Sequence, residues 1–132
     1  MVKKFVNPEG MKPLGMYTQV TVARGGGIAF ISGQVAVDSQ GSIVGAGDIE
    51  AQAVQVFENL KIALTAIGAT FDDVVKFTIY IVGLTQERRK AVMNVRGRYI
   101  SHTHPPAATM VGIDQLVEPE LLVEVEAVVA ID

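Results

Sequence analysis

Residues 74–82 carry the pattern that most restricts how this chain can fold. Apolar and polar residues alternate along this segment, in the order Val75, Lys76, Phe77, Thr78, Ile79, Tyr80 and Ile81. Strict alternation predicts a β-strand that buries one face and exposes the other. The buried face of a sheet needs other elements to cover it, and the flanking segments predict helices. The pattern therefore predicts an α+β fold.

Two helices are predicted from apolar spacing and capping residues. The first begins after Asp48, a favourable N-cap, and ends before Gly68. Its apolar stripe is Val54, Phe57, Leu60, Leu64 and Ile67. The second follows the N-cap Thr85 and ends before Pro105, with an apolar stripe of Val92, Val95 and Tyr99. We expect both helices to pack on one face of a mixed sheet.

Further strands are predicted near both ends of the chain. Segments 18–23 and 28–32 favour strands, and the glycine-rich run 24–27 between them predicts a hairpin rather than a phosphate-binding loop, because it does not open a helix. Two more strands are predicted at 107–113 and 121–131. No linker or repeat divides the chain, so residues 1–132 are predicted to form a single domain.

The chain is more apolar than its length requires. Its 132 residues suffice for one core, and 49% of them are hydrophobic. We interpret the surplus apolar area as contact between copies of the chain. A chain this short is also too small to enclose a deep site alone, so we expect a functional cleft to lie between identical subunits.

Charge and cysteine content exclude several classes of function. The formal net charge is −3, which gives no basic surface for a phosphate backbone and argues against nucleic acid as a partner. The chain has no cysteine, so disulfides, thiolate catalysis and cysteine-bound metals are excluded, and a cytoplasmic location is expected. No apolar run approaches the roughly 18 residues of a membrane span, so no membrane partner is expected.

The sequence contains none of the common cofactor-binding or hydrolase signatures, so no cofactor is predicted. His102 and His104 would project together from an extended segment and suit a metal ion, but no third ligand is evident. A surface loop that ends the second helix is the simpler interpretation. We therefore predict no metal site.

Glu124 and Glu126 alternate within an otherwise apolar strand and so project to one face of the sheet. Such carboxylates lie either on a solvated or helix-covered rim, or in a cleft where burial raises the pKa toward values useful for acid–base chemistry. Tyr17 is similarly ambiguous, since a half-buried tyrosine often serves packing alone. Periodicity alone leaves these alternatives open.

Several short motifs, taken in order, resemble the Rid family, also called YjgF or endoribonuclease L-PSP. The segment Gly15-Met16-Tyr17-Thr18-Gln19 is similar to the family's Gly-Pro-Tyr-Ser/Thr-Gln, and Ser32-Gly33-Gln34 matches its Ser-Gly-Gln. Other similar segments lie at 48–52, 58–60, 72–76, 106–107 and 123–127. The resemblance covers nearly the whole chain.

The resemblance implies a chorismate-mutase-like (bacillus-type) fold assembled as a homotrimer. The sheets would form an inner barrel, with small-molecule clefts at the subunit boundaries. In the family's deaminases these clefts hydrolyse enamines and imines to a keto acid and ammonia without metal or cofactor. Carried over to this sequence, Glu124 and Tyr17 are the implied catalytic residues, with Glu124 positioning a water molecule, and Ser32 is an implied substrate-binding residue.

The chain departs from the family where deaminases have Pro-Ala-Arg-Ser. Here Ala108 and Thr109 occupy the substrate-binding positions, and neither can grip a carboxylate as an arginine does. Other arginines offer a substitute, but those on or beside the second helix are predicted to lie on its solvated face: Arg88, Arg89, Arg96 and Arg98. Three hypotheses follow: an arginine-lacking imine or enamine hydrolase, a non-catalytic trimeric metabolite-binding module, and last a ribonuclease.

Overall fold

The structure, a computed structural model, describes residues 2–132. Its strands are β1 (Val2–Val6), β2 (Val20–Arg24), β3 (Gly27–Gln34), β4 (Val74–Val82), β5 (Ala107–Ile113) and β6 (Val123–Ile131). Its α-helices are α1 (Ile49–Ala66) and α2 (Gln86–Arg96), with a short 3-10 helix at Phe71–Asp73. This arrangement confirms the α+β prediction.

Four strands form one mixed sheet in the order β3-β6-β4-β5. Strand β6 runs antiparallel to both β3 and β4, whereas β4 and β5 are parallel. A parallel pair needs a crossover connection, and α2 lies in the segment between β4 and β5. Helix α2 forms part of this crossover, which leads into β5, an edge strand of this sheet.

The predicted hairpin between segments 18–23 and 28–32 is wrong. Strand β2 pairs with β1 in a separate two-stranded sheet, while β3 pairs with β6. The glycine-rich run turns the chain from one sheet to the other, with Gly25 and Gly26 at φ values of 74° and 57°. A Cβ on Gly26 would lie 2.1 Å from the carbonyl oxygen of Ile131, so the turn packs tightly against the end of β6.

The core lies between the sheet and the two helices. The predicted cap residues act as expected, since Asp48 accepts a hydrogen bond from the Ala51 N–H and Thr85 accepts one from the Arg88 N–H, each at 3.1 Å. Most predicted stripe residues are buried, including Phe57, Leu60, Leu64, Val92 and Val95. Val54 and Tyr99 are half-buried, and Ile67 is the one exposed member at 42%, because α1 ends at Ala66 and Ile67 is only its C-cap.

The face of the sheet opposite the helices carries large apolar side chains. Phe30 is 79% exposed and Ile28 is 48% exposed on β3. Val111 on β5 is also exposed. We call the surface that carries Phe30 and Glu124 the open face.

No helix within residues 2–132 combines the length and the apolar character needed to cross a membrane.

Candidate functional site

The loop that carries Tyr17 is held on both sides of that residue. After it, the backbone N–H of Thr18 donates to the Pro106 carbonyl at 3.1 Å, and the buried Thr18 hydroxyl donates to the Pro105 carbonyl at 2.5 Å. Before it, the Met16 carbonyl accepts from the Arg96 guanidinium at 3.0 Å. The loop is thereby fixed to the start of β5 and to the end of α2.

A cavity of about 220 Å³ lies where this loop, α2 and β5 meet. The three elements supply its walls: Leu14, Gly15 and Tyr17 from the loop, Arg89, Met93 and Arg96 from α2, and Ala108 and Met110 from β5. The Tyr17 hydroxyl accepts a hydrogen bond from the Leu14 N–H at 3.0 Å, which fixes the phenol at the rim. We call this space the arginine cavity.

Arg96 is buried at 3% exposure, so its predicted position on the solvated face of α2 is wrong. One guanidinium nitrogen donates to Met16, but its Nε has no hydrogen-bond partner among the described residues. Burial, together with the positive charge of Arg89, lowers the pKa of Arg96 to about 10. The guanidinium therefore remains charged at neutral pH in an unfavourable environment.

The other arginines near α2 have partners elsewhere. The Arg88 guanidinium donates to the Val82 carbonyl. Arg98 pairs with Glu50 at 3.1 Å, with both side chains more than half exposed. Arg89 and Arg96 are thus the two arginines that line the arginine cavity.

Glu124 lies on the open face, where the backbone of β3 leaves room for its carboxylate. The pairing of β3 with β6 shifts between Ile31 and Gln34, which places a β-bulge at Ser32 and Gly33. A Cβ on Gly33 would lie 2.0 Å from Oε2 of Glu124, so the carboxylate occupies the space that a side chain at this position would enter. Burial, with a contribution from the charge of Glu126, raises the pKa of Glu124.

Glu126 has a defined partner on the same face. The hydroxyl of Tyr80 donates to its carboxylate at 2.6 Å, and this hydrogen bond raises the pKa of Tyr80. Lys76 donates to the Thr109 hydroxyl at 2.6 Å farther along the sheet. The open face therefore holds Glu124 together with two separate hydrogen-bonded pairs of polar side chains.

Strand register separates the predicted site residues into two groups. Thr109 pairs with Thr78, which also pairs with Glu126, so Thr109 shares the open face with the two glutamates. Ala108 pairs with the fully buried Phe77 and lines the arginine cavity together with Tyr17. Ser32 is exposed in the bulge beside Glu124. Within the chain, Tyr17 and Ala108 thus lie on the helix side, and Glu124, Ser32 and Thr109 on the open face.

The two histidines have separate surroundings. His102 lies 2.6 Å from the Gly97 carbonyl, whereas the ring of His104 packs 5.0 Å from that of Phe5. Among residues 2–132, no cluster of three or more histidine or acidic side chains suits a metal ion.

Sequence reasoning missed the roles of Arg96 and Gly33. Arg96 follows Val92 by one helical turn, so its position falls within the apolar stripe, and this spacing was the available signal. Gly33 stands in the Ser32-Gly33-Gln34 motif, but its closeness to Glu124 depends on β6, far away in the sequence, and no local pattern reports that contact.

Comparison with known proteins identifies relatives over nearly the whole chain. The family described as endoribonuclease L-PSP matches residues 8–131. A RutC family protein of Pyrococcus horikoshii is 36% identical over 118 residues, covering 89% of this chain and 88% of that protein. A 2-iminobutanoate/2-iminopropanoate deaminase of Dermatophagoides farinae is 30% identical over 125 residues, covering 95% of this chain and 93% of the relative.

A solved structure agrees with the fold. The crystal structure of a Rid family protein from Yersinia pestis superimposes with a TM-score of 0.91 at 33% identity, covering 99% of this chain and 100% of that one. Sequence similarity and fold therefore point to the same group of proteins. The chain belongs to the endoribonuclease L-PSP family, also known as the Rid or YjgF family.

Proposed function

We propose that this protein hydrolyses a small imine or enamine on the open face of its sheet, with Glu124 as the acid–base group. The observation that carries the proposal is the Glu124 carboxylate, which lies over Gly33 with a raised pKa. A carboxyl group whose pKa moves toward neutrality can both accept and return a proton. Ser32 and Thr109 are the proposed substrate-binding residues because both are exposed on the same face.

The proposed reaction converts an imine and water into a carbonyl compound and ammonia. Glu124 accepts a proton from water as the water oxygen bonds to the imine carbon. Glu124 returns this proton to nitrogen, which gives the carbinolamine. It then accepts the proton of the carbinolamine hydroxyl and delivers it to nitrogen as the carbon–nitrogen bond breaks, so that the carbonyl forms and ammonia leaves. An enamine first takes a proton on carbon and loses one from nitrogen to become the imine. These steps use one carboxylate and one water molecule and need no metal or organic cofactor.

We also propose that the open face is covered by two further copies of the chain in a homotrimer, which turns this face into intersubunit clefts. Support comes from the exposure of Phe30, Ile28 and Val111, since an apolar surface of this kind is costly in water. Light scattering coupled to size-exclusion chromatography is expected to give the mass of three chains. The mass of a single chain would contradict the proposal.

Family relationships favour hydrolysis of imines over the other activities. A relative that aligns with 95% of this chain is a 2-iminobutanoate/2-iminopropanoate deaminase. The family name also mentions endoribonuclease activity, but two carboxylates on the open face and a net charge of −3 oppose the approach of a phosphate backbone. We therefore do not propose ribonuclease activity.

The test is an assay in which an amino-acid oxidase generates imines and semicarbazide competes for them. The wild-type protein is expected to lower semicarbazone formation, and Glu124→Gln to reduce this effect by about a hundredfold or more. Glu118→Gln is the matched control because Glu118 is an exposed carboxylate outside the open face. An unchanged rate in Glu124→Gln would overturn the mechanism.

A second candidate is a metabolite-binding module without turnover. The observation that favours it is the pair Ala108 and Thr109, since neither supplies a cation at the start of β5. Thermal-shift measurements with small organic acids and their imines distinguish the two candidates. A binding module is stabilised by a ligand that is recovered unchanged, and absence of any shift would count against it.

A further inference from the structure

We propose that Tyr80 and Glu126 are positioning residues for Glu124: the Tyr80 hydroxyl fixes the Glu126 carboxylate on the open face, and the negative charge of Glu126 then favours the protonated form of Glu124. Their role rests on the proposed hydrolysis, since it concerns the proton that Glu124 moves in that reaction. Neither of the two residues exchanges a proton with the substrate.

Tyr80 faces one glutamate in the strand ladder and bonds to the other. In the register of β4 and β6 its partner is Glu124, whereas Glu126 pairs with Thr78. The Tyr80 hydroxyl nevertheless donates to Oε1 of Glu126 at 2.6 Å. None of residues 2–132 donates a hydrogen bond to the Glu124 carboxylate. One of two neighbouring carboxylates thus has a donor that favours the ionised form, and the other has none.

The two carboxylates are close enough to influence each other's protonation. They stand two residues apart on β6 and project from the same face, which separates them by roughly 7 Å along the strand. Like charges repel at this distance, so the carboxylate that lacks a donor is the one that takes up a proton first. Burial and the charge of Glu126 raise the pKa of Glu124.

The phenol itself remains a donor over the whole neutral range. The hydrogen bond to Glu126, burial and the charges of both glutamates raise the pKa of Tyr80. Tyr80 therefore keeps the hydroxyl proton that it donates to Glu126 while Glu124 gains and loses its own.

The other elements around Glu124 contribute little to this balance. The bulge of β3 at residues 32–33 carries no charge. Lys76 projects from the same face of β4, but its ammonium donates to a hydroxyl on β5, on the side of β4 away from β6. Glu126 is the one charge within residues 2–132 that contributes to the raised pKa of Glu124.

The arrangement has a consequence for the rate of hydrolysis. A carboxylate with a higher pKa is a stronger base, so the neighbouring charge speeds the removal of a proton from water at Glu124. Tyr80 and Glu126 thereby set the pH range of the reaction while Glu124 performs it.

The experiment is an NMR titration of the protein labelled at the glutamate carboxyl carbon, in which Glu124→Gln assigns the Glu124 signal. In Glu126→Gln the titration midpoint of Glu124 is expected to move to lower pH, because the neighbouring charge is gone. In Tyr80→Phe it is expected to move in the same direction but by less. Without the hydroxyl, Glu126 competes with Glu124 for the proton that the two carboxylates share.

Tyr99→Phe is the matched control. The Tyr99 hydroxyl also donates to a carboxylate, that of Glu58 at 2.8 Å, but its ring stacks on Phe57 on the helix side of the sheet. This variant should leave the Glu124 midpoint unchanged.

A double variant tests the order of action. In a Glu126→Gln background, Tyr80→Phe should add no further shift at Glu124, because Tyr80 acts through Glu126. An unchanged or higher midpoint in Glu126→Gln or Tyr80→Phe would overturn the proposal, as would an equal shift in Tyr99→Phe or a further shift in the double variant.

The pH profile of imine hydrolysis gives a second readout. In Glu126→Gln and Tyr80→Phe the ascending limb of the rate should move to lower pH and the plateau should fall about two- to fivefold, because Glu124 becomes a weaker base. An equal fall at every pH would mean structural damage alone and would refute the positioning role. If the wild type hydrolyses no imine, the proposed function fails, while the titrations still decide whether Tyr80 and Glu126 control the proton on Glu124.

Discussion

Helices α1 and α2 each bury one polar side chain, Gln52 and Arg96, and the two differ in how many of their hydrogen-bonding groups have partners within the chain. The Gln52 amide donates to the carbonyls of Gly45 and Glu120 at 3.1 and 2.9 Å, and its oxygen accepts from the Leu122 N–H at 2.8 Å. Arg96 has one hydrogen bond, an unpaired Nε and a cation beside it. Gln52 joins parts of the same chain, whereas Arg96 faces a cavity that another molecule can enter.

The difference teaches how to distinguish a structural polar group from a binding group. A buried group whose hydrogen-bonding capacity is met inside the fold stabilises that fold. A buried charge whose capacity is unmet costs free energy, and it is retained only where another interaction compensates for the cost. The same contrast leads to opposite expectations for substitutions at the two positions.

The largest expected effect is at Gln52. Gln52→Met keeps the approximate volume but removes three hydrogen bonds. It leaves the Leu122 N–H and the Glu120 carbonyl without these partners, whereas the Gly45 carbonyl still accepts from the Asp48 N–H. We expect the free energy of unfolding to fall by about 3 kcal/mol or more, since each unpaired buried group costs about 1–3 kcal/mol. Urea unfolding at fixed protein concentration measures the change.

Gln55→Met is the control for this prediction. Gln55 lies on the same helix, is only half-buried and makes one side-chain hydrogen bond, to Asn59 at 2.8 Å. Its substitution is expected to cost less than about 1 kcal/mol. Equal losses at both positions would mean that the internal hydrogen bonds of Gln52 are not what distinguishes it.

The next effect is smaller and opposite in sign. In the absence of a bound anion, Arg96→Met is expected to leave the protein as stable as the wild type or to stabilise it by up to about 2 kcal/mol. The pKa decrease to about 10 corresponds to a burial and repulsion cost on the order of 3 kcal/mol, which the single bond to Met16 offsets only in part. Urea unfolding in anion-poor buffer tests this. A loss above about 2 kcal/mol would place Arg96 with Gln52 as a structural residue.

The sequence predicts the parts of this fold that depend on neighbouring residues. Capping at Asp48 and Thr85 and alternation in β4 involve contacts within a few positions, so helices and strands follow directly. The pairing of β2 with β1 was not predicted, because strand partners are chosen by tertiary packing. The face of Ala108 likewise depends on the register between β4 and β5, which no local pattern reports.

The candidate site also has one part that neighbouring residues predict and another that depends on tertiary contacts. The alternation of Glu124 and Glu126 predicted that both share one face, and their partner strands confirm it. The arginine cavity depends on residues far apart in sequence, since Arg96 contacts Met16 and lies opposite Ala108. The sequence alone therefore does not predict that the charges of Arg89 and Arg96 share one cavity, because this requires α2 and β5 to line the same space.

The smallest expected effect extends the contrast to Glu124, a carboxylate that is likewise held where its charge is unfavourable. A raised pKa means that the folded state favours the protonated form of Glu124. The stabilisation that results is fully present below the ordinary pKa of 4.5, and it is lost as the pH rises through the higher pKa of the folded state. At pH 7 the ionised Glu124 therefore lowers stability. Glu124→Gln is expected to raise the free energy of unfolding by about 0.5 kcal/mol or less, because solvent screens a half-buried group.

The dependence on pH is what makes this small effect decisive. The advantage of Glu124→Gln is expected at pH 7 and should shrink toward pH 4, where wild-type Glu124 takes up its proton and also becomes neutral. The exposed control Glu118→Gln should show no such gain at pH 7. Urea unfolding of the three proteins at both pH values measures the difference. A variant that is less stable than the wild type at pH 7 would mean that the Glu124 charge is compensated within the fold, as the polar groups of Gln52 are.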